Sequence, residues 1–165
     1  MLKKFTVQNF KNFEYITLDF GNIGNYNFKE NVIKNNILSK MLILGKNGSG
    51  KSNVGLAIFD IINHLTDKEK RLNEYKNYLN YNLSNKDNAF FCYIFQFDSD
   101  RVKYEYKKID SEAIVEEKLF INDKLCIEYN KNKKIVVVIQ KDNKRLTYKL
   151  VTVYPNKGGN LKWKN

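Results

Sequence analysis

The chain has 165 residues and a formal net charge of +11, from 29 Lys and Arg against 18 Asp and Glu. That length holds one domain around one core, and 42% hydrophobic residues with 11 Tyr and 11 Phe exclude a disordered chain. No run is long and apolar enough to span a bilayer and no signal-peptide pattern opens the sequence, so a cytoplasmic location and no membrane partner are expected.

Leu2 to Val7 mixes apolar and polar residues as a half-buried strand does. Tyr15 to Phe20 alternates Tyr15, Thr17 and Asp19 against Ile16, Leu18 and Phe20, which predicts a second strand paired with the first as a hairpin. Gly21 to Lys40 is polar and Asn-rich. It reads as a long loop with one strand or helical turn near Val32, Ile33, Ile37 and Leu38.

Met41 to Ser52 (MLILGKNGSGKS) carries the most specific signal. Four apolar residues predict a buried strand, and Gly45-Lys46-Asn47-Gly48-Ser49-Gly50-Lys51-Ser52 fits the P-loop pattern G-x-x-x-x-G-K-[ST]. Glycine tolerates the positive φ that lets successive backbone N–H groups face an anion. A helix starting near Gly50 adds unpaired N–H groups and the positive end of its dipole. Lys51 supplies a point charge for the β- and γ-phosphates and Ser52 a hydroxyl ligand for Mg²⁺. Asn53 completes the expected contact set. Val54, Ala57, Ile58, Ile61, Ile62 and Leu65 then recur at helical spacing. The expected ligands are ATP and Mg²⁺.

Residues 67–88 form a polar connector, in which Leu72, Tyr75 and Leu79 predict the apolar side of a short helix. The period then changes to two. Ala89 to Phe97, Arg101 to Lys107, Ile114 to Ile121, Lys124 to Tyr129, Lys134 to Gln140 and Arg145 to Tyr154 read as successive strands of an antiparallel meander. Polar breaks such as Asp98-Ser99-Asp100 and Asn122-Asp123 suit tight turns. The domain thus divides into a P-loop region (1–66), a connector (67–88), a meander (89–154) and a tail (155–165) that holds Trp163. Lysines are scattered rather than blocked, so the charge reads first as a solvated surface. Cys92 and Cys126 lack C-x-x-C spacing and read as two reduced, buried thiols.

Asn9-Phe10-Lys11-Asn12-Phe13 followed by Gly45 to Ser52 resembles the nucleotide-binding heads of ABC and SMC-like ATPases, most closely the N-terminal part of bacterial AAA-family ATPases associated with abortive infection and phage defence. The resemblance implies an α/β fold with α+β character. It implies a P-loop NTPase lobe of ABC-ATPase type with an N-terminal β-hairpin, a P-loop strand and helix, and the meander. It also implies that Lys11 and Asn12 approach the nucleotide. Phe13 reads as core first and as a base-stacking residue second. The implied partner is a second head or a complementary C-terminal half.

Hydrolysis by such a head needs an apolar strand ending in Asp-Glu, and none follows the loop. Ile135 to Ile139 runs into Gln140-Lys141-Asp142; Leu56 to Asp60 lies on the predicted helix; Glu116-Glu117 reads as a solvated pair. Gln96 and Gln140 are weak candidates for a nucleotide-sensing glutamine, and His64 reads as a surface or capping residue. The catalytic set is therefore empty, and the chain reads as a truncated or split enzyme that binds ATP and hydrolyses it only when completed. The alternative is a basic β-rich nucleic-acid-binding module with a vestigial P-loop, making weak, nonspecific phosphate contacts. A third reading is an interaction protein anchored by a nucleotide.

Overall fold

A computed structural model describes residues 1–24, 31–66, 74–83, 87–132 and 135–138. Strand β1 (Leu2–Phe10) turns at Lys11 and Asn12 into β2 (Phe13–Asp19), with Phe10 opposite Phe13. Strands β3 (Ile33–Lys34) and β4 (Ile37–Leu38) form a small hairpin. Its turn residues Asn35 and Asn36 both have positive φ, as the tightest hairpin turns require. Helix α1 (Lys51–Leu65) follows the glycine loop. The meander is β5 (Ala89–Phe97), β6 (Asp100–Lys108), β7 (Ile114–Ile121), β8 (Lys124–Asn130) and β9 (Ile135–Val138).

The seven long strands make one sheet in the order β2-β1-β5-β6-β7-β8-β9, antiparallel at every junction. Alternation sends Phe5 and Val7 of β1, Phe91 and Tyr93 of β5, and Tyr104 and Tyr106 of β6 to the buried face. Ala57 of α1 and Tyr75 and Tyr78 of the connector cover that face. The opposite charges of neighbouring strands meet across the ladder: Lys107 with Glu116 at 2.8 Å and Lys118 with Glu128 at 3.0 Å. Much of the positive charge in the meander is thereby matched locally.

This architecture overturns the expected fold class. The described residues form an antiparallel sheet with a single helix, not an α/β P-loop NTPase lobe of ABC-ATPase type. The decisive stretch is Met41 to Leu44, which forms no strand and leaves Leu42 and Leu44 80% and 81% exposed. A parallel core needs a second strand returning beside the first after the helix. Here the next strand, β5, pairs instead with β1 and β6. No described strand pairs with the apolar run, so hydrophobicity alone does not make it a strand.

Other expectations fare better. The first hairpin and the meander strands β5 to β8 fall where alternation puts them, within a few residues at each end. The connector differs: Tyr75 and Leu79 lie in no helix, and Leu79 instead bridges to Phe10. Leu72, the strand Arg145 to Tyr154, and the tail with Trp163 lie outside the described residues. No helix among the described residues is long and apolar enough to cross a membrane.

Candidate functional site

Gly45 to Gly50 form the loop that leads into α1, and Gly50 is the residue at the helix start, with φ 94° and ψ 13°. Gly48 also has a positive φ of 80°, with open space where a side chain would project. A side chain at Gly45 would meet Ser49 Oγ at 2.8 Å. The glycines are therefore used for conformation at 48 and 50 and for close packing at 45. Among the described residues no side chain caps α1, and no acidic residue occupies its first turn. Its N-terminal N–H groups keep their partial positive charge toward solvent.

Lys51 Nζ folds back across the loop, donating to the carbonyls of Gly45 and Lys46, each at 2.8 Å. The ammonium thus sits within the loop rather than reaching away from it. Ser52 is exposed, and its hydroxyl bonds to no described residue. Asn47, Gly48, Gly50, Lys51, Ser52 and Asn53 line a cleft of about 350 Å³. This donor set (a cation, helix N–H groups and a free hydroxyl) fits phosphate oxygens with a hydrated Mg²⁺.

The first hairpin reaches this loop through Asn12. Its Nδ2 donates to Ser49 O at 3.4 Å, and its Oδ1 accepts from Asn53 Nδ2 at 2.7 Å. A side chain at Gly50 would collide with this amide, whose Oδ1 would lie 2.8 Å away. Lys11 points elsewhere: its Nζ donates to the carbonyls of Glu74 and Lys76 at 2.8 and 3.0 Å. Partial burial pushes the Lys11 ammonium pKa down. Phe13 packs against the core. Gln96 spends its amide on Asp98 O, and Gln140 and Asp142 lie outside the described residues.

Behind α1 lies a polar network that periodicity did not disclose. Asp60 accepts from Tyr78 at 3.1 Å, Tyr106 at 2.8 Å and Lys108 at 2.8 Å. Tyr93 donates to Ala57 O at 2.8 Å and Tyr75 to Leu56 O at 3.1 Å, so phenols tether the helix backbone to the sheet and connector. Burial pushes the Tyr78, Tyr93 and Tyr106 phenols well above their ordinary range, and Tyr75 to about 12. These hydroxyls stay protonated and act as donors, not as acid–base groups. The sequence signal was present. Asp60 falls three residues after Ala57 and six after Val54, on the stripe that α1 buries.

His64 and Glu117 correct the solvated readings given to them. The His64 side chain is 3% exposed and stacks on Tyr106 with ring centroids 4.3 Å apart. Tyr104 OH donates to Glu117 Oε1 at 2.6 Å and lies 2.6 Å from His64 Nε2. Because that hydroxyl proton is committed to Glu117, Nε2 carries the proton in the other bond. Glu116 sits on the outer ladder with Lys107. Among the described residues, no group of three or more His, Cys, Asp and Glu side chains is arranged to hold a metal ion. Cys92 and Cys126 are unpaired and half-buried.

The sequence matches no protein-family model and no curated protein.

Proposed function

We propose that the chain binds the phosphates of ATP, with Mg²⁺, through Gly45 to Ser52. One observation carries this reading: Lys51 Nζ lies inside a loop whose Gly48 and Gly50 take positive φ, directly at the uncapped start of α1. In this reading loop and helix N–H groups, Lys51 and Asn53 hold phosphate oxygens, and Ser52 ligates Mg²⁺ beside them. Asn12 braces the loop by closing over Gly50, and Lys11 acts one step further out by fixing the connector. The unpaired Cys92 and Cys126 fit a cytoplasmic protein. The reading is restricted to nucleotide binding. The nucleic-acid alternative gains no support from the meander, where lysines meet glutamates across the ladder.

Calorimetry with Mg-ATP and inorganic triphosphate tests it. Lys51→Ala deletes a charge-assisted contact and should weaken binding roughly 10- to 100-fold. Ser52→Ala should mainly reduce the dependence of affinity on Mg²⁺. Equal affinity for wild type and Lys51→Ala would rule the loop out as the phosphate site.

A further inference from the structure

We propose that the cleft lined by Asn12, Asn53, Asn77, Tyr81 and Asn82 takes the nucleoside of the nucleotide, with Tyr81 stacking on the base. The proposal rests on the phosphate reading of Gly45 to Ser52. It extends that reading to a surface that the P-loop pattern does not cover.

The first ground is continuity. Asn53 lines both this cleft and the smaller one at the glycine loop. Asn12, bonded to Asn53 and to Ser49 O, stands at the junction of the two. A ligand with phosphates at Lys51 therefore has this adjoining recess for the rest of its body. That recess has about 770 Å³, within the usual range for a small-molecule site, whereas the loop cleft has no aromatic wall.

The second ground is chemistry. Tyr81 is 96% exposed and makes no ring contact with any described residue, so both ring faces are free. An aromatic ring beside amides suits a nucleobase, which offers a π-face to stack on and polar edges to pair. The Asn77 and Asn82 side-chain amides make no hydrogen bond to the described residues. Each presents a donor and an acceptor, the pair that matches adenine N6 and N7. Among the described residues no carboxylate lines the cleft, which suits a polyphosphate-bearing ligand.

The third ground is a fixed rim. Lys11 Nζ holds the carbonyls of Glu74 and Lys76, and Lys11 N donates to Tyr78 O at 2.9 Å. The buried Asn9 accepts from Asn80 N at 3.3 Å, and Asn80 Oδ1 accepts from Asn82 N at 2.9 Å. The backbone leading into Tyr81 is thereby tied to β1 and its turn, and the residue after it to Asn80, which lowers the ordering cost of binding.

Titration calorimetry of the full chain with Mg-ATP and, separately, with Mg-triphosphate provides the test. Tyr81→Ala should weaken ATP roughly 5- to 100-fold, the span expected for one base–aromatic stack. It should leave triphosphate affinity unchanged, and Tyr81→Phe should restore ATP binding. The side chain is almost wholly exposed, so neither change disturbs the core. Wild-type ATP affinity in Tyr81→Ala, with Lys51→Ala still losing it, overturns the nucleoside assignment and leaves the phosphate reading standing. Equal losses for ATP and triphosphate in Tyr81→Ala also overturn it. ATP affinity unchanged by Lys51→Ala, or absent in wild type, overturns both.

Discussion

Asp60 and Lys108 meet 2.8 Å apart with both side chains 1% exposed, joining the middle of α1 to the last residue of β6. The carboxylate also accepts from Tyr78 and Tyr106, so its charge is compensated by one cation and two phenols. A charge taken out of water at such depth is tolerated only when it is paired and hydrogen-bonded. The ion pair also fixes where the glycine-loop helix sits on the sheet. One register of α1 brings Asp60 to Lys108 and, one turn later, His64 to Tyr104.

Breaking the pair from one side should therefore be severe. Lys108→Met and Asp60→Leu should each destabilise the chain by about 3–5 kcal/mol, since each removes one side of a buried ion pair and leaves the opposite charge without that partner. The double variant should cost clearly less than the sum, because both charges leave together. Urea denaturation of the four proteins measures this. Single variants within about 0.5 kcal/mol of wild type would mean the pair contributes no fold-determining contact.

The sequence discloses the meander well because its signal is local. A period of two with polar breaks needs only neighbours in the chain, and Asn122 and Asp123 both take the positive φ that such a turn demands. The glycine loop is legible for the same reason: its glycines and its helix start lie within one short stretch. What failed depends on distant residues. Met41 to Leu44 has the composition of a strand but pairs with no described strand, and pairing partners are not written in a run of four apolar residues. Lys11 sits beside Asn12 in sequence, yet the turn sends one to the connector carbonyls and the other to Ser49. Tyr81 lines the cleft beside Asn12 and Asn53 only through the fold of the connector, so no spacing rule could have found it.

Acid should loosen the second link between α1 and the sheet. Burial raises the Glu117 pKa, but His64, with Nε2 3.9 Å from Oε1, and the hydrogen bond from Tyr104 outweigh that and hold it below 4.5. A carboxylate depressed on folding adds stability that is complete above its unfolded value. That stability is lost as pH falls from about 4.5 through the folded value. Thermal melts of wild type and Glu117→Gln across this range should converge as pH falls, with wild type the more stable at neutral pH. Parallel curves at all pH values would show that Glu117 adds no pH-dependent stability.

Nucleotide binding by this chain should not lead to turnover at an enzymatic rate. Binding at a glycine loop lowers the ground state; only groups that act in the transition state lower the barrier. In phosphoryl transfer those groups orient the water and neutralise charge at the γ-phosphate, and loss of one costs roughly 10³–10⁵ in rate. Among the described residues no carboxylate lines the cleft at Gly48, Lys51 and Ser52. The acidic candidates that the structure describes are committed elsewhere. Asp60 is buried against Lys108, Glu117 is bound by Tyr104, and Glu116 pairs with Lys107 on the outer ladder. Asp60 could not be freed for this role without dismantling the contacts that seat α1. A steady-state phosphate-release assay on the purified chain, run beside Lys51→Ala, should give the same background rate for both. Turnover near ~1 s⁻¹ that disappears in Lys51→Ala would overturn this expectation. It would direct the search for a water-orienting carboxylate to Asp142, which lies outside the described residues, with Asp142→Asn as the first variant to assay.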